Sequence, residues 1–441
     1  MTILRDLAER QLPQILEDAI ALIEVESPSH DLEAVARSAK WTSDLVHERL
    51  GVTPESIVTE GRTHLVTRFG SSPTRLMLLG HHDTVWPIGT LTRLPAAVTD
   101  GALRGPGGLD MKLGVVQAIH ALAIVRELHG DDALDGITLL VTGDEEIGSP
   151  TSRSLIEELA AGAVLVLEAG GDGGELKTVR KGVSLYRIHV AGRAAHAGLE
   201  PEKGINAAVE LARLVIAIND LSSPAQATTV TPTVISAGTT TNTVPAEAFV
   251  DVDVRATSAA EQERVDANIR ALQAIHPEAV VTVSGGVNRP PLEGTMSAPL
   301  LALAERVALE HDLTTPVGLA VGGASDGNFT AGIGIPTLDG LGGVGGGAHA
   351  ETEHALVSAI APRTALVAGL IRSITSEGAL VSKSKAVEFR ELVDTREIAD
   401  LSAVFDEIWA TSPGPAHFGT AMLVALHHGG HYVVGAFPKA K

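Results

Sequence analysis

Acids and histidines stand directly behind short apolar runs in this sequence. Leu76 to Leu79 leads into Gly80-His81-His82-Asp83-Thr84, Ile137 to Val141 leads to Asp144-Glu145-Glu146, and Val164 to Leu167 leads into Glu168. Asp110 follows the glycine-rich stretch Gly105 to Gly108, and His349 follows Gly345 to Gly347. With His82 and Asp144 set aside as neighbours, Asp83, Asp110, Glu145, Glu146 and Glu168 join His81 and His349 as a set that can converge on one face. So many acids in one place are electrostatically costly without a cation. Neutral imidazole and carboxylate donors suit Zn²⁺, and a carboxylate can bridge two ions about 3.5 to 4 Å apart. The set reads as a two-zinc site, with Co²⁺ or Mn²⁺ as substitutes. A solvated turn at Asp144–Glu146 and a core histidine at 81 explain single residues but leave the ensemble unexplained.

Ligands of open α/β sheets bind at the carboxyl ends of the strands, so the apolar runs must be strands that aim these residues. Four such runs, the three above and Ile335 to Leu338, read as buried parallel strands. Met111 to Glu127, Leu300 to Glu310 and Ala355 to Ile374 have helical apolar spacing, and the alternation predicts an α/β layered domain with a mixed sheet. Between residues 181 and 292 the pattern changes. Val183 to Val190 alternates, Ile205 to Ile218 is helical, Thr229 to Ser236 and Ala248 to Val254 alternate, Glu261 to Ile275 is helical, and Ala279 to Ser284 closes the series. That order is the βαββαβ arrangement of a ferredoxin-like domain, inserted between residues 1–180 and 293–376 of the first. Residues 377–441 form a polar linker and a short strand, helix, helix, strand tail, too small to fold stably alone.

Composition narrows the function classes. The formal net charge is -21, the wrong sign for a protein that neutralises nucleic-acid phosphates. The 441 residues include no cysteine, so thiolate zinc sites and cysteine nucleophiles are excluded and any metal must sit on His, Asp and Glu. The most apolar helical stretch, Leu113 to Val125, is shorter than the roughly 20 residues that span a bilayer. The first residues carry mixed charges on an amphipathic helix pattern, so the expectation is a cytoplasmic protein with no membrane partner.

His81-His82-Asp83-Thr84-Val85, Gly105-Pro106-Gly107-Gly108-Leu109-Asp110-Met111-Lys112, Asp144-Glu145-Glu146-Ile147-Gly148-Ser149, Glu168 and His349 together resemble the ordered signature of the M20 family of zinc peptidases. Within it the chain is most similar to glutamate carboxypeptidases of the carboxypeptidase G2 type, over about residues 5 to 376. The resemblance implies a zinc-exopeptidase-like catalytic domain in which Asp110 bridges two zincs, with His81 and Glu168 on one and Glu146 and His349 on the other. Asp83 would orient His81, and Glu145 would be the general base. It further implies that the inserted domain is a lid and a dimerisation domain. There His196, in Gly192-Arg193-Ala194-Ala195-His196-Ala197-Gly198, would stabilise the oxyanion, in its own subunit or across the dimer. Asn242 and Arg255 would contact substrate, a guanidinium being suited to a carboxylate. Gly323 and Ser325 would belong to a substrate-contacting loop.

The implied activity is hydrolysis of the amide before a C-terminal residue such as glutamate, in a small peptide or N-acyl amino acid. An N-acyl-amino-acid deacylase of the acetylornithine deacetylase or succinyl-diaminopimelate desuccinylase kind is the alternative, and a silent metal-binding assembly protein is a remote one. Gly340, Gly342 and Gly345 match a dinucleotide fingerprint by spacing, but no acid follows about 20 residues later for a ribose. Gly323-Ala324-Ser325-Asp326-Gly327 matches a nucleophile elbow, yet a serine hydrolase leaves Asp110, Glu145, Glu146 and Glu168 without work. A lid joined near Arg180 and Val287 can rotate over the metals, and its helix Ile205 to Ile218 can pair with a copy of itself. The tail loosely resembles the opening of an N-acetyltransferase, and His427, His428 and His431 read as surface residues.

Overall fold

Alternation on the strand Leu76–His81 shows how the layers around the sheet are built. Leu76 and Leu78 enter a large apolar cluster with the helices Ile3–Glu24, Leu113–His129 and Val357–Ser376, while Met77 and Leu79 enter a second cluster with Ile156 and Phe329 on the opposite face. A strand buried on both faces must be apolar throughout, which is why it reads as an unbroken run. The computed structural model describes residues 3–376 and the strands Val387–Glu391 and Val434–Pro438.

The strand lies fourth in a six-stranded mixed sheet of order 55–59, 62–69, 137–142, 76–81, 163–166, 337–338. The pairs 55–59 with 62–69 and 62–69 with 137–142 are antiparallel, and the remaining pairs are parallel. Parallel register aligns His81 with Thr142 and Leu79 with Val166, so the segments that follow these strands leave the sheet at the same end.

The segment 182–289 carries a four-stranded antiparallel sheet of order Thr229–Ala237, Glu247–Ala256, Gly182–Ala191, Val280–Arg289. The helices Ala207–Asn219 and Ala259–Arg270 cover one face through Leu211, Leu214, Val265 and Ile269. That is the βαββαβ order. Its two connections lie side by side, because Arg180 and Leu292 exchange backbone hydrogen bonds of 3.0 Å.

Two element ends differ from the sequence reading. The helix expected over Glu261 to Ile275 stops at Arg270, and the Ile275 N–H is taken by the Glu210 carboxylate at 2.7 Å instead. The last strand runs on from Ser284 to Arg289 through Gly285 and Gly286, which composition marks as a stop. Gly285, at φ 85°, crosses the Leu185 carbonyl so closely that a Cβ would collide with it. Pairing with Gly182–Ala191 continues past that point and carries the strand to Arg289.

Two helices, Gly108–His129 and Val357–Ser376, are long and apolar enough to cross a membrane, unlike the shorter run that periodicity marked. Of their most apolar windows, 89% and 67% are buried inside the protein, where they form the core of one catalytic layer. The strands Val387–Glu391 and Val434–Pro438 pair antiparallel in a separate unit. The helices expected between them, and His427, His428 and His431, lie outside the described residues.

Candidate metal centre

Close packing of small residues brings the segments behind the strands together. Gly114 and Gly342 both press on the Leu167 carbonyl, at a distance no Cβ could share. The start of the helix Leu113–His129, the segment bearing Glu168 and the loop before His349 are thereby drawn to one point. Gly342 is one of the glycines that mimic a dinucleotide fingerprint, and this close approach is its work. Asp110 precedes that helix in an irregular turn, Gly108–Lys112, with non-helical backbone at Asp110 and Met111. His349 takes the left-handed conformation, at φ 61°.

Two donor sets result, and they share one residue. Ligand atoms of His81, Asp110 and Glu168 lie within 4.8 Å of one another, as do those of Asp110, Glu146 and His349. His81 Nε2 is 3.4 Å from Asp110 Oδ1 and 3.6 Å from Glu168 Oε1. His349 Nε2 is 3.2 Å from both Asp110 Oδ2 and Glu146 Oε2. Asp110 thus turns one oxygen to each group. His81 Nε2 and Glu146 Oε1 are buried and have no hydrogen-bond partner. Orphaned buried polar atoms are rare in native proteins. Two such atoms among mutually repelling acids fit a pair of divalent cations, and the nitrogen and oxygen donors suit zinc.

The charge balance points the same way. Burial opposes a charge on His81, yet the nearby carboxylates of Asp110, Asp83 and Glu168 outweigh it and raise the imidazole well above its usual range. Bonds to Asp110 and Glu146 push His349 up to about 10. Burial raises the Glu146 carboxyl against the bond from His349, while the two histidines overcome burial at Asp110 and lower it.

Around the donors a supporting set fixes orientation. His81 Nδ1 donates to the Asp83 backbone carbonyl at 3.0 Å, which leaves Nε2 free to face the acids. The Asp83 carboxylate is 3.4 Å from that ring and mainly holds other atoms, accepting from Ser29 Oγ at 2.6 Å and from the N–H groups of Glu145 and Glu146 at 3.2 Å each. The sequence placed Asp83 beside the imidazole; the structure adds the turn that carries Glu145 and Glu146. Asp144 accepts from the backbone and hydroxyls of Thr151 and Ser152, so the acidic turn is pinned rather than solvated. His82 points away, Nε2 donating to the Thr63 carbonyl at 3.1 Å.

Glu145 is largely but not fully buried and is bonded to Arg289 Nη2 at 2.9 Å. Burial lifts its carboxyl well above the usual range, with Arg289 opposing. Arg289 also binds Asp326 at 3.1 Å, and Arg180 binds Asp339 at 2.7 Å with Glu168 4.0 Å away. Neither arginine, nor Asp326 and Asp339, was found from sequence. The only signal was position, at the two connections of the inserted domain. Extending the last strand to Arg289 would have exposed one of them.

The remaining expected residues sit elsewhere. Ser325 is fully buried and its hydroxyl donates to Asp339 at 2.5 Å, while the Gly323 carbonyl accepts from Arg180 at 3.1 Å. The Ser325 hydroxyl therefore supports the arginine network instead of facing a substrate, and it has no bond to His349 as a nucleophile elbow would. His196 and Asn242 are neighbours on the inserted domain, where Ala195–His196 pairs with Thr243–Val244. Both are exposed, and His196 Nδ1 accepts from the Gly198 and Leu199 N–H groups. Arg255 makes a two-point ion pair with Asp253 at 2.8 and 2.9 Å. No bond joins these three to the acid cluster among the described residues. A cleft of ≈ 520 Å³ is lined by Leu109, Ala169, Gly170, Gly346 and Ala348, neighbours in sequence of Asp110, Glu168 and His349. Its volume suits a small ligand.

The comparisons with known proteins agree with this geometry. The model of peptidase family M20/M25/M40 matches residues 77–373. The chain is 31% identical over 381 residues to carboxypeptidase G2 of Pseudomonas sp. (strain RS-16), covering 83% of this chain and 91% of that one. It is 28% identical over 379 residues to succinyl-diaminopimelate desuccinylase of Azoarcus sp. (strain BH72), covering 78% and 96%. Aminopeptidase PepT from Bacillus cereus superposes with a TM-score of 0.68 at 23% identity, covering 82% of this chain and 98% of that one. The M20 family metallo-carboxypeptidase Sso-CP2 from Sulfolobus solfataricus does so with a TM-score of 0.62 at 17% identity, covering 82% and 99%. A family match running from the strand that ends at His81 to the helix beyond His349, together with a relative 31% identical over most of the chain, leads to one conclusion: this chain belongs to the M20/M25/M40 peptidase family of hydrolases.

Proposed function

We propose that the chain is a two-zinc carboxypeptidase that cleaves the amide bond before a C-terminal amino acid such as glutamate. The observation that carries the reading is the pair of donor sets sharing Asp110, with His81 Nε2 and Glu146 Oε1 orphaned between the acids. His81, Asp110 and Glu168 would hold one ion, and Asp110, Glu146 and His349 the other. The ions supply Lewis acidity toward a water and a scissile carbonyl. Glu145 takes the proton of the attacking water and passes it to the leaving nitrogen. Its bond from Arg289 keeps the carboxylate turned into the site.

Similarity to carboxypeptidase G2 supports glutamate as the leaving residue. Similarity to the desuccinylase supports the deacylase alternative, and the same water attack serves both. In this reading the segment 181–292 is the lid, His196 steadies the oxyanion when it closes, and Arg255 and Asn242 meet the substrate. The exposed Ile216 and Val209 on the lid helix favour a homodimer through that segment. The reading also keeps the chain in the cytoplasm, its two long apolar helices being core helices.

Dialysis against a chelator followed by an assay on N-acyl glutamates tests it. Activity is expected to vanish and to return with zinc. Activity that survives complete metal removal overturns the reading. A panel that sets N-acyl glutamates against N-succinyl and N-acetyl derivatives of diamino acids decides between carboxypeptidase and deacylase.

A further inference from the structure

Glu353 is a fully buried carboxylate with no cationic side chain bonded to it among the described residues, close to a centre already crowded with acids. Every polar group aimed at it is an N–H. Its Oε1 accepts from the backbone N–H of Leu109 at 2.9 Å and of Asp110 at 3.2 Å. Its Oε2 accepts from Gly107 N–H at 3.1 Å and from the Trp86 indole at 2.7 Å. Burial raises the carboxyl, and these four bonds oppose it.

The partners come from separate pieces of the centre. Gly107, Leu109 and Asp110 form the loop of the shared ligand. Trp86 follows His81 and Asp83 on the segment that leaves the sheet. Glu353 itself closes the turn of His349, since its N–H donates to the Ala350 carbonyl at 2.8 Å and Ala350 donates to Gly347 at 2.8 Å. The next residue, His354, pairs with Arg104 on the strand that feeds the Asp110 loop. Resting on the two-metal reading, we infer that Glu353 is a positioning residue: it ties the Asp110 loop to the His349 turn and so sets the spacing of the donors that hold the second ion.

The chemistry of the four bonds explains why a carboxylate is required. Glutamine has the same shape, but one end becomes an NH₂ group, and either orientation sets that donor against two N–H donors. Two of the four bonds are lost whichever way the amide turns. The loop bearing Asp110 then gains freedom relative to His349. His81 and Glu168 are held from strand ends and are less affected.

The test is calorimetric titration of Zn²⁺ into chelator-stripped protein, wild type beside Glu353→Gln, with Co²⁺ absorption as a second readout. Wild type is expected to take two equivalents. The variant is expected to bind the weaker ion about 10- to 100-fold less tightly, the range typical of lost outer partners of metal ligands, with a changed Co²⁺ spectrum and activity restored by excess metal. A role confined to folding would lower the melting point of the metal-free protein and leave affinity and spectrum alone. Should Glu353→Gln fail to fold, Trp86→Phe removes a single bond and is expected to weaken the same ion about fivefold. Two equivalents bound within twofold of wild type by the folded variant overturn the inference and leave the two-metal reading standing. A wild-type protein that takes up no metal overturns both.

Discussion

Replacing Glu145 by glutamine exchanges one oxygen for an amide nitrogen at the centre of the proposed mechanism. The structure states what survives. Arg289 Nη2 donates to Glu145 Oε1 at 2.9 Å, and the glutamine carbonyl can accept the same bond. Arg289 keeps Asp326 at 3.1 Å and the Ser149 hydroxyl at 2.9 Å, so its buried guanidinium is not stranded. The backbone N–H of residue 145 still reaches Asp83, and none of the five proposed ligands is touched. Only the ability to accept a proton is lost. General-base removal costs about 10² to 10⁴ in rate, or roughly 3 to 5 kcal/mol of barrier. Zinc content and melting temperature are expected to stay close to wild type. Initial rates on an N-acyl glutamate, with zinc measured by plasma mass spectrometry on the same samples, read both quantities. A variant within about tenfold of the wild-type rate would show that the base lies elsewhere. Zinc lost in proportion to rate would show that Glu145 acts through the metal.

Three further outcomes are expected. Asp110→Ala removes the donor common to both sets and should release both ions, seen as zinc content falling toward none where Glu145→Gln retains it. His196→Ala should lower turnover about tenfold or more with zinc content unchanged, and light scattering should give a dimer; a monomer with an unaltered variant rate refutes both parts. Against burial, bonds from His120 and Arg49 hold the Asp18 carboxyl at about 2, below its ordinary 3.8. A carboxyl lowered on folding stabilises the native state above its unfolded value and loses that contribution as pH falls through the folded one. The stability gap between wild type and Asp18→Asn, on the order of 1 to 2 kcal/mol at neutral pH, should therefore close as pH falls toward and through 2, and a melting-temperature difference that stays constant with pH would contradict it.

Much of this protein was legible because its chemistry sits where chain direction and residue type meet. Buried parallel strands are written as unbroken apolar runs, and the residues behind them leave the sheet at one end, so His81, Glu145, Glu146 and Glu168 could be gathered from order alone. The βαββαβ order of the inserted segment was equally plain, because alternation and helical spacing are local properties. What lay beyond reach was set by contacts between segments far apart in sequence. Arg289 meets Glu145 only because the last strand runs through two glycines that composition marks as a stop. Arg180 and Ser325 meet only at Asp339. Glu353 collects N–H groups from residues 86 to 110, and no period or spacing announces a carboxylate whose partners are three backbone amides and an indole about 250 positions away. Residue type and strand order name the groups that can do chemistry, whereas a hydrogen bond exists only where three-dimensional packing brings donor and acceptor within about 3 Å, and that distance is decided by tertiary structure.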